Sequence, residues 1–124
     1  MKFTLDSRDD INLIRGYGSG EVRIGEQVVR GPCIVTADRL ITDWSVRDAA
    51  TLAPEDLAPI LELAPDVVLL GTGPKQLFPA DAVRRVFAVR NIGLEVMDLG
   101  AACRTYNILV QEERRVAAAL LPLG

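Results

Sequence analysis

Asp66-Val67-Val68-Leu69-Leu70-Gly71-Thr72-Gly73 is followed further along the chain by Leu94-Glu95-Val96-Met97-Asp98-Leu99-Gly100-Ala101-Ala102-Cys103-Arg104-Thr105-Tyr106-Asn107. Each stretch reads as an apolar strand that ends at a small flexible loop from which a helix can spring. Val67 to Leu70 is a continuous apolar run between Pro65-Asp66 and Gly71, as expected of a strand covered on both faces in a parallel sheet. Ligands of open α/β sheets settle where such strands end. The two exits are therefore the first place to look for a pocket, provided the strands are neighbours that finish at one rim.

Working outward, Leu99, Ala102, Cys103, Tyr106, Leu109 and Val110 recur at helical spacing, and Gln111-Glu112-Glu113 closes that helix. Arg114 to Leu121 contains Ala117-Ala118-Ala119, which favours helix by propensity. The alternation of Val116, Ala118 and Leu120, the short length and the stop at Pro122 decide for a strand. Between the two opening stretches, Pro79 can start a helix whose inner face carries Val83, Val86 and Phe87, with Gly93 shortly past its end. Upstream, Leu57, Ile60 and Leu61 share a helical face, and Pro59 makes that helix short, kinked or late to begin.

The first half changes period. Asn12 to Gly18, Glu21 to Ile24 and Gln27 to Arg30 are short strand-like runs, and Gly25-Glu26 marks a tight hairpin turn. Cys33 to Thr36 and Leu40 to Trp44 are further strand candidates, joined by Ala37-Asp38-Arg39. The pattern predicts an α/β fold: one compact layered domain over 1–124, a mixed sheet with a parallel centre, and an N-terminal β-hairpin portion.

Composition fits a soluble globular chain, with 49% hydrophobic and 25% charged residues in 124. A net charge of −3 argues against nucleic acid or an anionic membrane as the main partner. The opening Met1-Lys2-Phe3-Thr4-Leu5-Asp6 lacks the apolar core of a signal peptide, and no apolar run reaches the roughly 18 residues of a spanning helix. The expectation is a cytoplasmic protein without membrane insertion. Cys33 and Cys103 are far apart in apolar sequence and read as buried thiols of a reducing compartment.

The chain contains no histidine, which excludes serine–histidine and cysteine–histidine catalysis and every histidine-ligated metal. No cofactor or metal is expected. Gly71-Thr72-Gly73 can let backbone approach an anion, or can simply turn the chain before Pro74. Asp98 is the candidate N-cap of the last helix, with Gly100 in its first turn and Arg104 one turn on. That end could hold a carboxylate or phosphate, although Asp98 would itself occupy the free N–H groups. Trp44 can stack on a ligand or lie in the core. Gly71, Thr72, Gly73, Asp98, Gly100, Arg104 and Trp44 are thus the candidate ligand-binding residues, with no catalytic set among them. Cys103 is a candidate nucleophile or redox thiol, yet it falls on the apolar stripe with no base nearby in sequence. Ile108 projects opposite that stripe, and Arg84, Arg85 and Arg90 form a basic patch.

Val96 to Leu109, together with Gly71-Thr72-Gly73 and Arg114-Arg115-Val116-Ala117-Ala118-Ala119-Leu120-Leu121-Pro122, resembles a family of small single-domain proteins of largely unknown function. The family occurs in archaea, bacteria and mitochondria, and its mitochondrial members are complex I assembly factor 3 proteins. The resemblance implies a compact α/β domain with a parallel core that acts by binding other proteins, with no established reaction or cofactor. The readings left open are a protein-binding assembly domain, a pocket for a small molecule or anion at the strand ends, and an enzyme using Cys103.

Overall fold

Val67–Gly71 is the middle strand of a parallel trio, hydrogen-bonded on each side to a parallel neighbour. The computed structural model describes residues 10–123; the opening segment Met1 to Asp6 and the final Gly124 lie outside them. In chain order the strands are β1 (Ile14–Gly18), β2 (Glu21–Ile24), β3 (Gln27–Arg30), β4 (Cys33–Val35), β5 (Leu40–Ile41), β6 (Val67–Gly71), β7 (Gly93–Met97) and β8 (Val116–Leu120). The helices are α1 (Ala58–Glu62), α2 (Asp81–Ala88) and α3 (Leu99–Gln111), with a 3₁₀ turn at Pro54–Leu57 running into α1.

Five strands form a mixed sheet in the order β5-β4-β8-β6-β7. One side of it, β8-β6-β7, is parallel with β7 at the edge, and the middle strand β8 is joined on its other side by β4, antiparallel. Residues Arg114 to Leu121 do supply a strand, and every residue of β8 is buried. Val116, Ala118 and Leu120 belong to the core under α3, while Ala117, Ala119 and the following Leu121 belong to the core under α1 and α2. The alanines that favour helix in isolation give this strand two shallow faces, and both are filled by neighbouring layers.

The first three strands make a separate antiparallel sheet, β1-β2-β3, with the Gly25-Glu26 turn in the expected place. This sheet packs over α3, so Val22, Ile24 and Val29 share a core with Cys103, Tyr106 and Val110. Three side chains of α3 grip the β1 segment. The Ile14 N–H donates to Asn107 Oδ1 at 2.9 Å, and Asn107 Nδ2 donates back to the Ile14 carbonyl at 2.8 Å. Tyr106 OH donates to the Asn12 carbonyl at 2.8 Å, and Arg104 donates to Tyr17 OH at 3.1 Å. The Asn107 amide thus stands in for a neighbouring strand where the β1–β2 register slips between Ile14 and Gly16.

Two local expectations change. Thr42 to Trp44 does not extend β5, because the Trp44 indole turns into the second core and its N–H donates to the Asp56 carbonyl at 2.9 Å. α2 begins at Asp81 rather than at Pro79, with Ala80 as N-cap. Gly93 does lie shortly past the end of α2, and the left-handed turn between them falls at Asn91 (φ 58°), a position that asparagine tolerates. Gly93 is already the first residue of β7. Among the described residues, no helix is long and apolar enough to cross a membrane.

Replacing Asn107 with alanine leaves both backbone groups of the buried Ile14 without their partner. We expect a loss of about 1–3 kcal/mol in urea-unfolding free energy. Unchanged stability would show that the amide bridge does not hold the two sheets together.

Candidate functional site

The two strand exits meet. Gly71 ends β6 beneath α3, where a Cβ would lie 2.9 Å from that of Ala102, so only glycine lets helix and strand approach so closely. The Thr72 N–H donates to the Met97 carbonyl at 2.9 Å, joining the last residues of β6 and β7. The Thr72 hydroxyl is buried, donates to the Lys75 carbonyl, and accepts the Leu77 N–H at 2.9 Å. Gly73 then turns with φ 83°, and its carbonyl accepts the Leu99 N–H at 2.7 Å. One loop is thereby fastened to the first residue of α3.

Asp98 caps that helix by accepting the Ala101 N–H at 2.9 Å. Two of the N–H groups an anion would need, those of Leu99 and Ala101, are therefore already engaged. Above the first turn sits Tyr17, carried in by β1. A Cβ at position 100 would fall 2.6 Å from the Tyr17 hydroxyl oxygen, so Gly100 makes room for the phenol. Arg104, one turn on, meets the same hydroxyl.

Between these groups lies a cavity of about 470 Å³, lined by Tyr17, Gly18, Ser19, Gly73, Pro74, Asp98, Leu99, Gly100, Arg104, Pro122 and Leu123. It is large enough for a small ligand or a protruding side chain. A cavity of similar volume lies at the other ends of β6 and β8, among Asp38, Arg39, Glu62, Glu113, Arg114 and Arg115. The first has the better claim as a site, because it opens at the C-terminal ends of parallel strands.

Four of the seven candidate residues, Gly73, Asp98, Gly100 and Arg104, line this cavity. Gly71 and Thr72 lie beneath it and shape its floor without facing it. Trp44 does not belong to it: its ring packs against Leu52, Leu57 and Phe87 on the opposite side of the sheet. Tyr17, Ser19, Pro122 and Leu123 were not foreseen. They come from remote parts of the chain, and no local pattern marks them.

Cys33 and Cys103 are free thiols buried in one core. Burial pushes the Cys103 thiol up to about 12 against the opposing pull of Arg104. Burial, reinforced by the neighbouring Cys103, does the same to Cys33. Among the described residues, no cluster of three or more acidic, cysteine or histidine side chains could hold a metal ion.

Comparison with known proteins supplies the remaining context. The chain is 33% identical over 112 residues to the Danio rerio protein "NADH dehydrogenase [ubiquinone] 1 alpha subcomplex assembly factor 3", covering 89% of this chain and 64% of the relative. It thus spans a little over three-fifths of the length of such curated relatives. A crystal structure of a Bordetella parapertussis protein superposes with a TM-score of 0.85 at 33% identity, covering 93% of this chain and 98% of the other. A solution structure of a Bordetella pertussis protein, described as a Mth938-like domain, superposes with a TM-score of 0.83 at 28% identity, covering 100% and 94%. The family model "Protein of unknown function (DUF498/DUF598)" matches residues 14–121, from the first residue of β1 to the residue after β8, and the chain belongs to that family.

Proposed function

We propose that this chain acts as a single protein-binding domain that helps a respiratory membrane complex to assemble, working from the cytoplasmic side and without covalent chemistry. The observation that carries this reading is the likeness, over 89% of the chain, to a protein named as a complex I assembly factor. The surface geometry supports it. Leu123 and Tyr17 are apolar groups left open at the cavity mouth, and Ile108 stands exposed one turn beyond Arg104 on the outer face of α3. Aromatic, aliphatic and arginine side chains around a preformed hollow are the usual anchors of a protein contact. The one carboxylate of the lining is committed to structure, since Asp98 caps α3.

Affinity capture from the native lysate is expected to recover a stoichiometric partner. The double variant Arg104→Ala/Ile108→Glu should lose it by at least tenfold, roughly the effect of removing one anchor worth ~1.4 kcal/mol. Recovery of nothing, or equal recovery by the variant, counts against the reading.

A second reading, a pocket for a small anionic ligand, is favoured by Arg104, which lines the cavity with no salt bridge to an acid among the described residues. Thermal-shift screening with phosphate, nucleotides and small carboxylates tests it. A ligand at a hundred times its Kd would add about 2.7 kcal/mol of stability. That gain should vanish in Arg104→Ala. A gain of equal size in the variant would place the ligand elsewhere.

The absence of covalent chemistry has its own test. With both thiols pushed up to about 12, little thiolate exists at pH 8. A thiol reagent should therefore label the folded protein at least ~100-fold more slowly than the protein in urea. Fast labelling of Cys103 in the folded state would reopen the nucleophile.

A further inference from the structure

The opposite side of the molecule carries a surface that the cavity does not explain. Phe78 is 62% exposed, Val89 76% and Leu77 44%, along α2 and the loop leading into it. Leu77 and Phe78 adjoin in the loop before α2 and Val89 caps its far end, so exposed apolar groups flank the helix at both termini. They are interleaved with mostly positive charge. Residues 75–90 hold Lys75, Arg84, Arg85 and Arg90 against the single acid Asp81, a local net of +3 in a chain whose net charge is −3. The Arg84 guanidinium lies over the Phe78 ring, 5.8 Å from its centre, so cation and aromatic are presented together. Arg90 folds back onto the Val86 carbonyl at 3.0 Å, which keeps it at the end of α2. No salt bridge holds Arg84, Arg85 or Arg90 among the described residues.

We propose that this outer face of α2 is a docking surface for an anionic lipid bilayer. Charge complementarity argues for an anionic partner, and shape argues for a bilayer. None of the exposed apolar or arginine residues of this face lines either of the two large cavities. A peptide bound as an amphipathic helix or a proline-rich segment needs a groove, which this face does not offer. A helix face that projects an aromatic ring among arginines instead suits the headgroup layer. There the ring enters the interfacial zone and the guanidinium groups meet lipid phosphates. The contact is adsorption to the surface and needs no spanning segment. It is independent of the assembly reading, since either can fail while the other stands.

Sedimentation of the whole protein with vesicles tests this. Vesicles of equal parts phosphatidylglycerol and phosphatidylcholine should carry the protein down, while phosphatidylcholine alone should not. Binding should be released near 1 M salt, where charges are screened within about 3 Å. Arg84→Glu/Arg85→Glu should weaken binding at least tenfold, and Phe78→Ala severalfold. Arg114→Glu/Arg115→Glu, at the far ends of the parallel strands, should bind as the parent does. All these side chains are exposed, and matching circular-dichroism melts would confirm that the variants fold. No enrichment on anionic vesicles overturns the proposal, as does equal weakening by the control pair. So does a parent that ignores vesicles but binds a protein lost in the α2 variants, because the face would then be a protein interface.

Discussion

The close seat of α3 on β6 is the contact from which the rest of the site is built. Gly71 under Ala102 removes the Cβ that would hold helix and strand apart, and the Leu99 N–H then reaches the Gly73 carbonyl at 2.7 Å. With its N-terminus fixed there, α3 presents Gly100 to the cavity and Arg104 to its wall. The same helix holds the β1 segment through Arg104, Tyr106 and Asn107, which is how Tyr17 arrives over Gly100. One helix therefore serves as floor, wall and clamp, because it is sandwiched between two sheets instead of covering one.

The five-stranded sheet divides the molecule into two chemically different sides. On the α3 side the core runs through to the second sheet, and the surface feature is a hollow with mixed apolar and polar lining. On the other side α1, α2 and the Trp44 loop close a smaller core, and α2 shows solvent a basic, partly aromatic face.

Much of this was legible from residue order, and the exceptions have physical causes. Val67 to Leu70 announced a strand covered on both faces, and the apolar stripe from Leu99 to Val110 announced its helix, because burial imposes a period on the chain. Asp98 was recognisable as a cap because its carboxylate can accept a free N–H of the first turn. Leu40 to Trp44 misled because alternation and aromatics suit a strand, while burial of the indole beside Leu52 and Leu57 took Trp44 out of it. Of the candidate ligand residues, Thr72 proved to be occupied by its own loop and Trp44 to lie across the sheet.

Residue order by itself determined which segments hold most of the strands and helices, that Asp98 caps the last helix, and that two glycine-bearing exits follow apolar strands. These depend on backbone propensity and on periodic burial, which act over a few residues. Only the tertiary structure decided that β6 and β7 lie side by side, that the N-terminal strands form their own sheet over α3, and that Tyr17, Pro122 and Leu123 complete the hollow. Such meetings depend on packing and hydrogen bonds between residues far apart in the chain, such as Asn107 with Ile14, and no local pattern encodes the partner.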